Sequence, residues 1–195
     1  MENNNMKVLI FYGSVRETRQ GINAARFIEN KIKERKINVE LIDPLVYNLP
    51  MLDKMHKEYT KDNVPKKMDE LSKKILDADG FIIVTGEYNH SIPPALKNML
   101  DHYQREYNFK PSAIVSYSAG SFGGVRSAVH LRAILGELGM SSIPSMFPVP
   151  FVQDAFTEEG VPIDEKYNSR IKRFLDEFEW YLKALKEQRL KGTPY

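Results

Sequence analysis

Two hydrophobic periods alternate along this chain. Short runs rich in β-branched and aromatic residues give way to longer stretches in which apolar residues recur every three to four positions. Lys7-Val8-Leu9-Ile10-Phe11-Tyr12 is the first short run, closed by Gly13-Ser14. Ile22 to Lys36 follows with Ile22, Ala25, Phe27, Ile28 and Ile32 among charges, the pattern of an amphipathic helix. Asn38 to Asp43 reads as an alternating second strand, and Pro65 to Ala78 as a helix with Met68, Leu71, Ile75 and Leu76 on one face. Gly80 to Thr85 is a third strand, apolar enough to be buried on both faces. Pro94 to Tyr103 then reads as a helix, Ser112 to Tyr117 as a strand and Val125 to Leu138 as a helix ending near Gly139. Ser141-Ser142-Ile143 is a short fifth strand, and Asp164 to Lys186 a long final helix carrying Ile171, Phe174, Leu175, Phe178, Leu182 and Leu185.

Strand and helix in alternation imply a parallel sheet with right-handed crossovers and helices on both faces. The expected fold is therefore α/β, a flavodoxin-like three-layer sandwich with a five-stranded parallel sheet in the order 2-1-3-4-5. Residues 1–195 are expected to form a single domain. Two stretches, Pro44 to Val64 and Pro144 to Pro162, lack clear periodicity and read as lids or interface segments.

In such a sheet the loops leaving strands one, three and four emerge on one side, where open α/β sheets bind ligands. The first loop is Gly13-Ser14-Val15-Arg16-Glu17-Thr18-Arg19-Gln20-Gly21-Ile22-Asn23, entering a helix. Unpaired amides there suit a phosphate, with Arg16 as a charged donor and Ser14, Thr18 and Asn23 as neutral ones. Equally, Ser14 and Asn23 suit a capping loop. It is neither a dinucleotide fingerprint nor a P-loop, and Asp43 without those glycines is a weak ribose ligand. The second loop, Gly86-Glu87-Tyr88-Asn89, offers a close backbone approach, an aromatic plate and an amide. The bland alternative is a turn at Asn89 and Ser91 with Glu87 solvated. The third, Ser118-Ala119-Gly120-Ser121-Phe122-Gly123-Gly124, either aims backbone N–H groups at an acceptor or is a flexible connection.

At these residues the chain resembles the NAD(P)H-dependent FMN reductases, a flavodoxin-like family that includes quinone, chromate and azo-dye reductases. The resemblance runs from Val8 to about Pro144. It rests first on Glu87-Tyr88-Asn89 followed by Pro93-x-x-Leu96-Lys97-Asn98-x-x-Asp101. Ser118-x-Gly120-x-x-Gly123-Gly124, Leu131-Arg132 with Leu135, and Gly13-Ser14-x-Arg16 support it. The resemblance implies that Ser14, Arg16, Thr18, Gly21, Ile22 and Asn23 hold the FMN phosphate. It implies that Gly86, Glu87, Tyr88 and Asn89 line the isoalloxazine ring, approached from the third loop by Ser118 and Gly120. Two departures stand out: family members usually carry proline at the position of Gly86, and the phosphate loop is longer here, with Glu17 and Arg19 in it.

The function so implied is FMN-dependent hydride transfer from NADPH or NADH to a quinone, an azo or nitro compound, or free flavin. The flavin carries the chemistry and no side chain is expected to be catalytic. A homodimer or homotetramer with flavin sites near a subunit boundary is also implied. The alternatives are a flavodoxin-type electron carrier or a flavin-free protein binding a phosphate ligand.

Composition narrows the setting. With no cysteine, disulfides, thiol nucleophiles and cysteine-held metals are excluded. His56, His90, His102 and His130 show no ligand spacing, so no metal is expected. Ser118 has no histidine–acid partnership that would make a hydrolase. A net charge of +2 is too small to imply nucleic acid or an anionic membrane. No apolar run reaches the roughly 20 residues of a membrane span, and a cytoplasmic location is expected.

Overall fold

The computed structural model describes residues 6–195. Five strands, β1 (Lys7–Tyr12), β2 (Asn38–Ile42), β3 (Gly80–Gly86), β4 (Pro111–Tyr117) and β5 (Ser141–Val149), form one sheet. All pairings are parallel and the order is β2-β1-β3-β4-β5, as the alternation predicts. The helices are α1 (Gly21–Glu34), α2 (Pro44–Tyr47), α3 (Lys66–Asp77), α4 (Pro94–Asp101), α5 (Val125–Glu137) and α6 (Lys166–Arg189).

The period of two along each strand splits the core into two layers. Val8, Ile10, Tyr12, Ile82, Val84, Ala113, Val115 and Tyr117 pack beneath α1 and α6. Leu9, Phe11, Phe81, Ile83 and Ile114 pack on the other face against α3, α4 and α5. Each fully buried Ile, Phe or Leu contributes about 1.5–3 kcal/mol, so this double-sided burial makes β3 and β4 the rigid centre of the molecule. Asp79, just before β3, is nearly buried and accepts from Lys186 Nζ (2.7 Å), Arg189 Nη2 (3.1 Å) and the Lys7 amide (3.0 Å). These bonds pin the end of α6 beneath the sheet, opposite the ligand-binding edge.

Three expectations from the pattern change. The fifth strand runs to Val149 rather than stopping at Ile143, so the first part of the aperiodic stretch Pro144–Pro162 is sheet. Pro144 and Pro148 hide it from periodicity, yet β5 is an edge strand, where a missing N–H costs no ladder bond. Arg132 donates to the carbonyls of Ile143 and Pro144, and Arg170 to that of Pro148. These arginines cover edge carbonyls that would otherwise template another strand. Within Pro44–Val64, Pro44 opens the short α2, with Asp43 as its N-cap through Leu45 N (3.0 Å). Leu76, expected on the buried face of its helix, is 58% exposed. The residues named on α1 and α6 bear out the amphipathic reading, and Trp180, outside that stripe, is exposed beside Tyr181. No described helix is long and apolar enough to cross a membrane.

Candidate functional site

The loops after β1, β3 and β4 meet at the carboxyl edge of the sheet. Between them lies a cleft of about 180 Å³. Ser14, Arg16, Thr18, Gly21, Gly86, Glu87, Tyr88 and Ser118, all proposed from the sequence, line it. Four others do not. Ile22 is half-buried against the core beneath α1 and Asn23 lies in the first turn of that helix. Asn89 sits at an exposed turn tip. Gly120 lies outside the lining, and its carbonyl accepts from the Phe151 amide and the Ser118 hydroxyl. Arg19, Gln20, Tyr117, Ala119 and Val152 line the cleft without having been singled out.

The loop after β1 is held from beneath and from the side. The Tyr12 hydroxyl donates to the Arg19 carbonyl (3.1 Å), and Arg19 Nη1 reaches both oxygens of Asp43 at 2.6 Å. Asp43 is therefore occupied by Arg19 and by the α2 cap, which removes it as a ribose ligand. The same pairing raises the pKa of Arg19 above its ordinary value, through hydrogen bonds to the Asp43 carboxylate. Two features of this loop remain open. Arg16 is exposed and makes no ion pair among the described residues. Helix α1 has no side-chain cap and no acidic residue in its first turn, so its positive end is not neutralised locally.

The loop after β3 is a tight reversal. Tyr88 and Ser91 exchange backbone bonds of 2.9 and 3.0 Å, while Asn89 (φ 50°) and His90 (φ 66°) occupy the left-handed region. Two positive φ values in a two-residue turn are the type I′ geometry, which asparagine tolerates well. The turn directs Tyr88 back toward the first loop, where its hydroxyl lies 3.1 Å from Ser14 Oγ. Ser14 is 2% exposed, so this contact closes the space between the two loops.

Glu87 is neither solvated nor a free wall of the cleft. Its Oε2 accepts from the amides of Arg126 (3.1 Å) and Ser127 (3.4 Å), and Oε1 lies 3.4 Å from Arg126 Nη1. Gly124, the N-cap position of α5, contributes no side-chain cap of its own. Glu87 supplies one from across the cleft, a carboxylate at the positive end of a helix. The glycine loop after β4 is braced as well. Ser116 Oγ donates to the Gly123 carbonyl (2.7 Å), Ser118 N to the Val149 carbonyl (3.2 Å) and Ser118 Oγ to the Gly120 carbonyl (2.9 Å). Thus the start of α5 carries a carboxylate, whereas at the start of α1 the Ile22 and Asn23 amides donate to the loop carbonyls of Arg19 and Gln20 and no side chain supplies a negative charge. Among the described residues no cluster of His, Asp or Glu is suited to a metal ion.

Residues 6–154 match the family described as NADPH-dependent FMN reductases. The chain belongs to this family. It is 33% identical over 182 residues to an NAD(P)H-dependent FMN reductase of Schizosaccharomyces pombe, covering 88% of each chain. It is 33% identical over 134 residues to a quinone reductase of Escherichia coli K12, covering 67% of this chain and 69% of that relative. To the NADH:(hydroxy)cinnamate reductase subunit CrdA of Vibrio ruber it is 39% identical over 127 residues, 62% of this chain, and that match spans 63% of the relative. The solved structure of FerB, a flavoenzyme NAD(P)H:(acceptor) oxidoreductase from Paracoccus denitrificans, superposes with a TM-score of 0.74 at 23% identity. That superposition covers 92% of this chain and 98% of the other, and establishes the flavodoxin-like fold. The protein is an FMN-dependent oxidoreductase that uses NAD(P)H as reductant.

Proposed function

We propose that the cleft between the three loops holds FMN and that this reductase passes electrons to a quinone, an azo or nitro compound, or free flavin. The observation that carries the site is the unequal state of the two helix ends. Glu87 fills the N-terminus of α5, whereas the N-terminus of α1 stands open beside unpaired Arg16. A phosphate dianion fits the second end and is repelled from the first. The donor set matches FMN along its length: the Arg16 cation beside the uncapped start of α1 at one end, neutral hydroxyls of Ser14 and Tyr88 in the middle, and Gly86 with Ser118 and Ala119 at the other.

When bound, FMN supplies the two-electron chemistry, taking hydride from NAD(P)H and delivering electrons to the acceptor. The chain's own residues orient it and exclude water. Arg16 and Thr18, beside the positive end of α1, would hold the phosphate. The Tyr12–Arg19–Asp43 ties keep that loop in its binding shape beforehand, which lowers the ordering cost of binding. Gly86, Tyr88 and Ser118, which line the cleft, would hold the ring. The name of the E. coli relative favours a quinone among the acceptors. A homodimer or homotetramer fits the apolar side chains exposed on and near α2, namely Leu45, Val46 and Met51.

Purified protein should carry a flavin absorption band that bleaches anaerobically on addition of NADH or NADPH and returns on addition of a benzoquinone. Absence of bleaching under either nicotinamide would overturn the reading. Arg16→Ala should weaken FMN binding about tenfold, the worth of one charge-assisted contact. Riboflavin, which has no phosphate, should bind that variant as it binds the parent.

A further inference from the structure

The side chain of Tyr117 reaches the cleft because two other side chains are missing. Parallel register sets Tyr117, the last residue of β4, beside Gly86, the last residue of β3. A Cβ on Gly86 would lie 3.1 Å from the phenol ring, and a Cβ on Gly21 would lie 2.1 Å from its Cζ. The ring is therefore seated between the start of α1 and the end of β3, in space that any larger residue at either glycine would take. From there it stacks with Tyr12 across β3, centroids 6.4 Å apart.

The hydroxyls of these rings form an ordered series. Tyr117 OH donates to Tyr12 OH over a long 3.5 Å, and Tyr12 OH donates to the Arg19 carbonyl. Tyr117 lines the cleft while its hydroxyl proton is turned inward, with the Ser14 hydroxyl also close to its oxygen. Alongside it lies the Ser14–Tyr88 pair at 3.1 Å. Burial pushes the pKa of both Tyr12 and Tyr117 up, so both phenols stay neutral. An acceptor-rich, uncharged surface suits an alcohol, which can donate. It does not suit phosphate, which accepts only.

We infer that Tyr117, with Tyr12, Ser14 and Tyr88, forms a neutral hydroxyl floor that recognises the polyol chain of the flavin. Tyr117 is the residue in that floor whose oxygen meets a ligand alcohol. This inference rests on the flavin reading of the cleft and divides its specificity in three: Arg16 and α1 for the phosphate, Tyr117 for the polyol, and the glycine-lined loops for the ring.

The test is a fluorescence titration of flavin-free protein with FMN, riboflavin and lumiflavin, which has the ring system alone. Tyr117→Phe keeps the ring between its two glycines and removes only the oxygen. It should weaken FMN and riboflavin by about three- to tenfold, the worth of one hydrogen bond, and leave lumiflavin unchanged. Tyr12→Phe, which removes the partner of Tyr117, should act in the same direction, and it carries the test if Tyr117→Phe does not fold. Equal weakening of all three flavins, or of none, would overturn the polyol role. Arg16→Ala in parallel separates the two levels. If it weakens FMN and spares riboflavin while the phenylalanine variants do not discriminate, only the hydroxyl floor is refuted. If neither Arg16→Ala nor Tyr117→Phe affects any flavin, the cleft itself is refuted as the flavin site.

Discussion

Replacing Glu87 tests whether the cleft is built by one carboxylate spanning two loops. Its Oε2 serves the amides of Arg126 and Ser127, and the side chain is only 12% exposed. A lost N-cap costs about 0.5–2 kcal/mol, and a negative charge at a partly buried helix N-terminus contributes up to about 2 kcal/mol. The contact with Arg126, itself 40% exposed at 3.4 Å, adds little. Glu87→Gln keeps an acceptor oxygen and loses the charge, so it should destabilise by about 1 kcal/mol. Glu87→Ala also abandons both amides and should cost about 2–3 kcal/mol. In a chain of this length that corresponds to a melting-point fall of roughly 2–4 °C for glutamine and 5–10 °C for alanine.

Thermal unfolding of the flavin-free protein reads those shifts. Amide hydrogen exchange at Arg126 and Ser127 reads the cause, because both should exchange faster in the alanine variant, with the sheet centre unaffected. A variant as stable as the parent, with unchanged exchange at those two amides, would refute the capping role. So would glutamine and alanine variants equal in both measurements, since the argument requires a retained acceptor to matter.

Two further outcomes follow from backbone and burial. Gly124 has φ 73°, and a Cβ there would lie 2.5 Å from the Tyr117 carbonyl oxygen; Gly124→Ala should cost about 1–3 kcal/mol in chemical denaturation, and a neutral result would show that the loop relaxes freely. Lys110 is buried, and its Nζ donates to the carbonyls of Ile75 (2.6 Å) and Leu76 (2.8 Å) at the end of α3. Burial, reinforced by Arg189, lowers its pKa from 10.5 to about 8. The unfolded chain then binds the proton more tightly, so the cost of the buried charge is complete below pH 8 and is relieved as pH rises toward 10.5. Relative to Lys110→Met, the parent should gain stability by about 1 kcal/mol per pH unit between pH 8 and 10. A flat difference across that window would remove Lys110 as a titrating group.

How far the sequence alone reaches depends on whether the cause is local. Period-two runs and amphipathic stretches are local, and they lead to the five strands, their order and the sheet edge where the loops gather. The second half of β5 escapes because Pro144 and Pro148 break the pattern, while the physics that tolerates them, an edge with no further partner, is known only once the order is fixed. The site divides along the same line. Ser14, Arg16 and Gly86 announce themselves as loop chemistry beside a glycine. Glu87 also sits in that loop, but its partner amides belong to a helix that packs beside it only in the folded sheet, so its capping role has no local sign. Tyr117 is the plainest case. Along the chain it is the last residue of a buried strand, and the loop chemistry legible in the sequence begins only at the next residue, Ser118. Its ring reaches the cleft only because β3 ends in a glycine at the paired position and α1 begins with one. The absence of proline at position 86, a mere departure from the family pattern in sequence, becomes in three dimensions the opening through which Tyr117 enters. Gly86 and Tyr117 are therefore best altered together: Gly86→Ala alone should disturb the ring, and Tyr117→Ser should relieve that disturbance. Such coupling between neighbours in the fold appears in a double-mutant cycle, where two unrelated positions would simply add.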